Sequence, residues 1–164
     1  MQFLSFRRLN LLPTLGILLL ILGMMPGIAG GQEEVHFEHD TLSIVVDDMV
    51  HHFTVEIAET RQQRARGLMF RRKMAPDAGM LFDYRRPKPV AMWMKNTYIP
   101  LDMLFIRADG SVESIRERAV PHSLASISSK DKVRAVLELN AGTAARLGIR
   151  PGDLVRHRIF GNAD

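Results

Sequence analysis

The chain has 164 residues, of which 46% are hydrophobic and 24% charged, the balance of an ordinary globular protein. Its formal net charge is +4 with no basic tract, which argues against a nucleic-acid partner. It has no cysteine, which excludes a cysteine nucleophile, a disulfide framework and a lipid-modified N-terminal cysteine.

The opening residues read as a secretory signal peptide, residues 1–29. Arg7 and Arg8 precede the uncharged apolar run "LLPTLGILLLILGMM", and the small residues Gly27 and Ala29 suit cleavage after Ala29. An uncleaved membrane anchor is the rival reading, but the run is short for a membrane span and is broken by Pro13, Gly16 and the Pro26–Gly27 pair, which favours cleavage. Polar Asn10 falls where a twin-arginine signal wants an apolar residue. The expected location is therefore exported, periplasmic or secreted, with membrane contact only through this segment if it is uncleaved. Its removal takes away two arginines and no acids, leaving 20 − 18 = +2.

Residues 30–40 are polar and histidine-bearing and read as a flexible leader. A single domain is expected over 41–164. "TLSIVV" and "HHFTVEIA" alternate with period two and read as strands joined by a turn at Asp47–Asp48. Thr60 and Gln63 make a capping box for a short helix over 61–66, with Gly67 as its C-terminal cap. A loop follows to Gly79, then a strand at "MLFDY", a turn at "RRPKP" and a strand at "VAMWMKN".

"LDMLFIR" is apolar on both faces, which predicts a strand covered on both sides. Asp109–Gly110 then signals a hairpin into 111–119. Residues 120–132 read as a long surface loop and "VRAVLEL" as a strand. Asn140 is the expected cap of a helix in "AGTAARLG", and Pro151–Gly152 turns into a last strand, "DLVRHRI". The fold class expected is mainly β: a compact barrel or sandwich of short, mostly antiparallel strands with two short helices.

The candidate chemistry concentrates in "MWMKNTYIPLDMLFI". Strand alternation turns Met92 and Met94 towards a core and puts Trp93 and Lys95 on the opposite face. Trp93, Lys95, Asn96 and Thr97 are candidates to line a ligand groove; the alternative buries Trp93 beneath a helix and leaves Lys95 solvated. Asp102 opens an apolar strand and needs a partner, because an unpaired buried charge is very costly. Lys95, Arg66, Arg71 or the backbone N–H groups of "NTYIP" are its candidates.

Asp102 is then either a structural tie or a general base, with Lys95 stabilising developing negative charge. Met92, Met94 and His122 form a third candidate, a thioether site for Cu(I); filling of core gaps is the plainer role of methionine. His36, His39 and the pair His51–His52 have no recognisable metal-ligand spacing. There is no phosphate-binding glycine loop or serine elbow, and no cofactor is expected.

Four segments, "RARGLMFRRKM", "GMLFDY", "MWMKNTYIPLDMLFI" with "DGSV" after it, and "AVLELNAGTAARLGIRPGDLV", occur in this order. Over residues 53–155 the chain resembles the domain-of-unknown-function family number 192. The resemblance implies a compact, mainly β domain, often exported in bacteria and archaea, with no established activity, substrate or cofactor. The family's shared polar positions fall on Arg66, Lys95, Asn96, Thr97 and Asp102, with Trp93 and Met94 beside them. The leading expectation is a non-enzymatic module binding a small polar ligand or an envelope protein, with Arg66, Trp93, Lys95, Asn96, Thr97 and Asp102 as the ligand-binding residues.

Overall fold

A computed structural model describes residues 35–163, and the signal-peptide reading lies outside them. Strand β1 (Glu38–Val46) pairs antiparallel with β2 (Met49–Ala58). Asp47 and Asp48 between them have φ of 44° and 65°, the two left-handed residues of a primed hairpin turn. β1 starts at Glu38, inside the segment expected to be a leader, and Phe37 before it is buried.

Helix α1 (Arg61–Arg66) begins at the expected capping box: Thr60 Oγ1 accepts from Gln63 N–H at 3.1 Å, and Gln63 Oε1 accepts from Thr60 N–H at 2.9 Å. It carries the chain over to β3 (Ala78–Lys88), which lies parallel to β2. A parallel neighbour needs such a crossover, whereas antiparallel strands can be joined by a tight turn.

β3 runs through most of the expected turn at "RRPKP". It does so by shifting register between Asp83 and Lys88, with Arg85 at φ 64°. The expected strand over 90–96 shrinks to β4 (Ala91–Met92), because Asn96 at φ 56° turns the chain. β5 (Leu101–Ile106) and β6 (Val112–Ala119) form the expected hairpin, with Gly110 at φ 89°.

The expected loop over 120–132 contains β7 (Ile127–Ser128), paired with β4. β8 (Val133–Asn140) is followed by α2 (Thr143–Leu147), β9 (Leu154–Arg156) and a 3-10 turn at Arg158–Phe160. Asn140 does not cap α2. It lies at the end of β8 and donates to the Met74 and Ala75 carbonyls.

Among the described residues seven strands form one sheet in the order β6-β5-β8-β3-β2-β1-β9, in which only β2 and β3 pair in parallel. The sheet curls into a half-barrel whose outer strands touch at one isolated bridge, Ser111 with Leu154: Val112 N–H donates to Asp153 C=O at 2.8 Å and Val155 N–H to Gly110 C=O at 2.9 Å. Leu42, Ile44, Val55, Leu81, Leu104 and Leu137 fill the face enclosed by the curl.

The opposite face of β3, β5 and β8 carries Met80, Phe82, Met103, Phe105 and Val136 in a second core. Leu68, Val90, Met94 and Ile127 pack there too, so the chain after α1, the segment 89–100 and the segment 120–132 act as a roof. All six residues of β5 are buried, as its two apolar faces predict. Among the described residues no helix is long and apolar enough to cross a membrane.

Candidate functional site

The roof does not close completely. Between α1, the end of β3, the β4 segment and β8 it leaves a cavity of about 100 Å³, lined by Arg64, Arg66, Trp93, Lys95 and Thr97 with Glu138 among them. Strand parity places Glu138 there. Leu137 and Leu139 belong to the enclosed core, so Val136 and Glu138 face the roof. Glu138 pairs across the sheet with Met80 and Met103, which leaves its carboxyl among apolar side chains.

Glu138 is 4% exposed, and none of the described residues donates a hydrogen bond to it. Burial alone pushes its pKa up to about 8, so the carboxyl is mainly neutral at pH 7. A neutral carboxyl is a hydrogen-bond donor as well as an acceptor.

The walls are cationic and held by aromatic rings. Arg64 donates to the carbonyls of Glu59 and Asp83, the latter at 3.0 Å, and its guanidinium lies 5.2 Å from the Tyr84 ring centre. Arg66 lies 4.8 Å from the Phe70 ring centre and Lys95 Nζ 5.1 Å from that of Trp93. Among the described residues neither Arg66 nor Lys95 has a carboxylate at ion-pair distance. Tyr84 donates to Met92 Sδ at 3.2 Å. Burial raises its pKa to about 12, the Arg64 charge opposing and Glu138 adding to the rise, so the phenol keeps its proton.

Five of the residues named from the sequence therefore share one cavity: Arg66, Met92, Trp93, Lys95 and Thr97. Trp93 is half-exposed at its mouth, not buried beneath a helix. Asn96 is not in the lining; its carbonyl accepts from Phe70 N–H at 2.8 Å and it holds the turn.

Asp102 is elsewhere. It is wholly buried, and its two oxygens accept from Arg118 N–H at 2.8 Å and Ala144 N–H at 2.9 Å. It thus supplies the cap of α2 that the helix's own Gly142 cannot. None of the side chains weighed as partners is used, nor are the "NTYIP" amides.

Met94 is fully buried, Met92 takes the Tyr84 hydroxyl, and His122 is exposed against the Tyr98 ring at 5.1 Å. The three sit in different environments. Among the described residues no cluster of three His, Asp or Glu side chains is arranged to hold a metal.

The residues missed in the sequence are Arg64, Tyr84 and Glu138. Glu138 does carry a signal: it is the only acid in "VRAVLEL", between two leucines of a strand apolar on both faces.

Two solved structures share this fold at substantial identity. One, from Sinorhizobium meliloti 1021, is provisionally described as a transcription regulator; it is 52% identical, with a TM-score of 0.75, over 77% of this chain and 98% of its own. The other, from Novosphingobium aromaticivorans, is a protein of unknown function, 35% identical with a TM-score of 0.71, over 76% and 95%. Among curated proteins there is no match. The model of the family DUF192, described as an uncharacterised ACR, matches residues 43–157. The chain belongs to the DUF192 family.

Proposed function

We propose that the protein is a non-enzymatic binding module for a small oxyanion, a carboxylate or phosphate group, held in the cavity above Glu138. The observation that supports it most directly is the convergence of Arg64, Arg66 and Lys95 on a cavity whose one acid is fully buried. Cations in a partly dry pocket attract an oxyanion strongly, and charge-assisted hydrogen bonds are the stronger kind. Neutral Glu138 adds a donor where an ionised one would repel. A cavity of about 100 Å³ has room for a group of a few heavy atoms.

Titration calorimetry with acetate and with inorganic phosphate tests this. Lys95→Ala and Arg66→Ala are each expected to weaken binding about tenfold. Affinity should fall as the pH passes about 8, where Glu138 ionises. Binding untouched by both substitutions, or no binding of either anion, would sink the reading.

The same proposal places the module outside the cytoplasm. Its support is the basic, apolar and small-residue order of residues 1–29. A mature N-terminus at Gly30 in a cell fraction outside the cytoplasm is the expected result, and a full-length chain in the cytoplasm the contrary one.

A further inference from the structure

The cavity opens beside a ledge that the small-anion reading does not use. Phe70, Tyr98 and His122 are exposed and linked through Tyr98: Phe70 and Tyr98 meet edge-on at 6.1 Å, and the His122 ring lies 5.1 Å from Tyr98. Arg66 rests on Phe70 and Arg72 on Tyr98, at 4.8 and 5.5 Å from the ring centres. Arg66 lines the cavity as well, so pocket and ledge are continuous.

The backbone beneath this ledge is strained. Phe70, Asn96 and His122 have φ of 67°, 56° and 61°, a region that a residue as bulky as phenylalanine rarely enters. Two hydrogen bonds tie these strained points to one turn, Phe70 N–H to Asn96 C=O at 2.8 Å and His122 N–H to Thr97 C=O at 3.2 Å. Strain of this kind persists only where the surroundings over-determine it, and it clusters at binding sites. Here two of the three strained residues, Phe70 and His122, carry exposed rings.

We propose that the ledge docks an acidic peptide segment of a partner protein, one of whose carboxylates enters the cavity above Glu138. The proposal rests on the oxyanion reading of that cavity and adds the ligand's source. Charge complementarity identifies the occupant. Arg66, Arg72 and Lys95 offer cations with no carboxylate at ion-pair distance among the described residues, next to open apolar ring edges. A segment mixing carboxylates with aliphatic side chains satisfies both. Nucleic acid fits less well, because base stacking needs ring faces and a protein cation already covers one face of each of Phe70, Tyr98 and Trp93.

Trp93, the only tryptophan, reports the test through its fluorescence at the cavity mouth. The probes are a short synthetic peptide alternating glutamate and leucine, its glutamine counterpart, a single-stranded oligothymidine of equal charge, and sodium acetate. Arg72 lies on the ledge and outside the cavity, so Arg72→Glu is the diagnostic variant, with Tyr98→Leu as a second. The glutamate peptide is expected to bind more tightly than acetate. Arg72→Glu should weaken the peptide about three- to tenfold and leave acetate unchanged.

If acetate binds but the peptide binds no tighter, or if Arg72→Glu leaves the peptide unaffected, the ledge proposal fails and the pocket reading stands. If neither probe binds, both fail. Equal binding of the oligothymidine, or self-association of the free protein abolished by Arg72→Glu, would assign the ledge to another occupant and overturn the proposal.

Discussion

Glu138 and Asp102 are both buried acids, and their surroundings give them opposite roles. Asp102 accepts two backbone N–H bonds and joins the start of β5 to β6 and α2. Asp102→Asn turns one acceptor into a donor facing a donor. It should cost about 1–3 kcal/mol, read from urea unfolding, with the fold retained. Glu138 has no such partner, and burial raises its pKa from 4.5 to about 8. Between those values the unfolded chain releases a proton that the folded chain keeps, so stability is fully present below pH 4.5 and falls as pH rises towards 8. Glu138→Gln should flatten that part of the profile, removing a slope worth on the order of a few kcal/mol across the window. Unfolding midpoints at pH 5 and pH 8 for both proteins check this; parallel profiles would contradict it. The need of Asp102 for a partner was legible in the sequence, because an acid at the start of an apolar strand demands one. Which groups answer was not, since Arg118 and Ala144 are distant in the chain. Glu138 was hidden for a related reason: alternation says which face a residue occupies, but not that an irregular roof covers that face.

At the scale of elements, local chemistry carried the most information. The capping box of α1 and the Asp109–Gly110 hairpin appear where the residues predict them, because each is settled by contacts a few residues apart. The Asp47–Asp48 turn does too, but with side chains that tolerate left-handed φ imperfectly. Asp47→Asn with Asp48→Gly should raise stability by about 0.5 kcal/mol, visible as a higher melting temperature. The failures are tertiary. "RRPKP" carries turn residues, yet β3 continues through it because β8 pairs with Lys88 beyond the register shift. Gly79, expected only to punctuate a loop, lies in β3 opposite Leu139 of β8: a Cβ there would stand 2.7 Å from the Glu138 carbonyl oxygen and 2.9 Å from Leu139 Cδ2. Gly79→Ala should destabilise by ~1–3 kcal/mol and shift the backbone that carries the cavity's acid. A variant with wild-type stability and unchanged anion affinity would show that the strands yield there at little cost.

Across the whole molecule, the half-barrel and its roof differ in construction. The half-barrel is held mainly by long strand ladders, whereas the roof is held by a two-residue pairing of β4 with β7 and single bonds such as Met94 N–H to Ser123 C=O at 3.0 Å. Amides of β5 and β8 should exchange with solvent only through global unfolding, and those of the roof through local opening. Hydrogen exchange measured by mass spectrometry separates the two, and acetate or phosphate in the cavity is expected to slow the roof alone. A mainly β domain was legible from strand alternation. The strand order was not, because period-two patterning fixes faces and carries no information about neighbours.

That order has a consequence for how the chain is made. β8 lies between β3 and β5, yet it leaves the ribosome after both. Until it arrives, the β1–β2–β3 unit and the β5–β6 hairpin share no ladder, and the cavity walls stand without the strand that carries Glu138. Nascent chains stopped short of Val133 therefore present two unjoined sheet edges at once, the kind of surface chaperones hold. The binding site comes into being only when the same strand closes the sheet, so an incompletely made chain has no cavity in which to hold an anion.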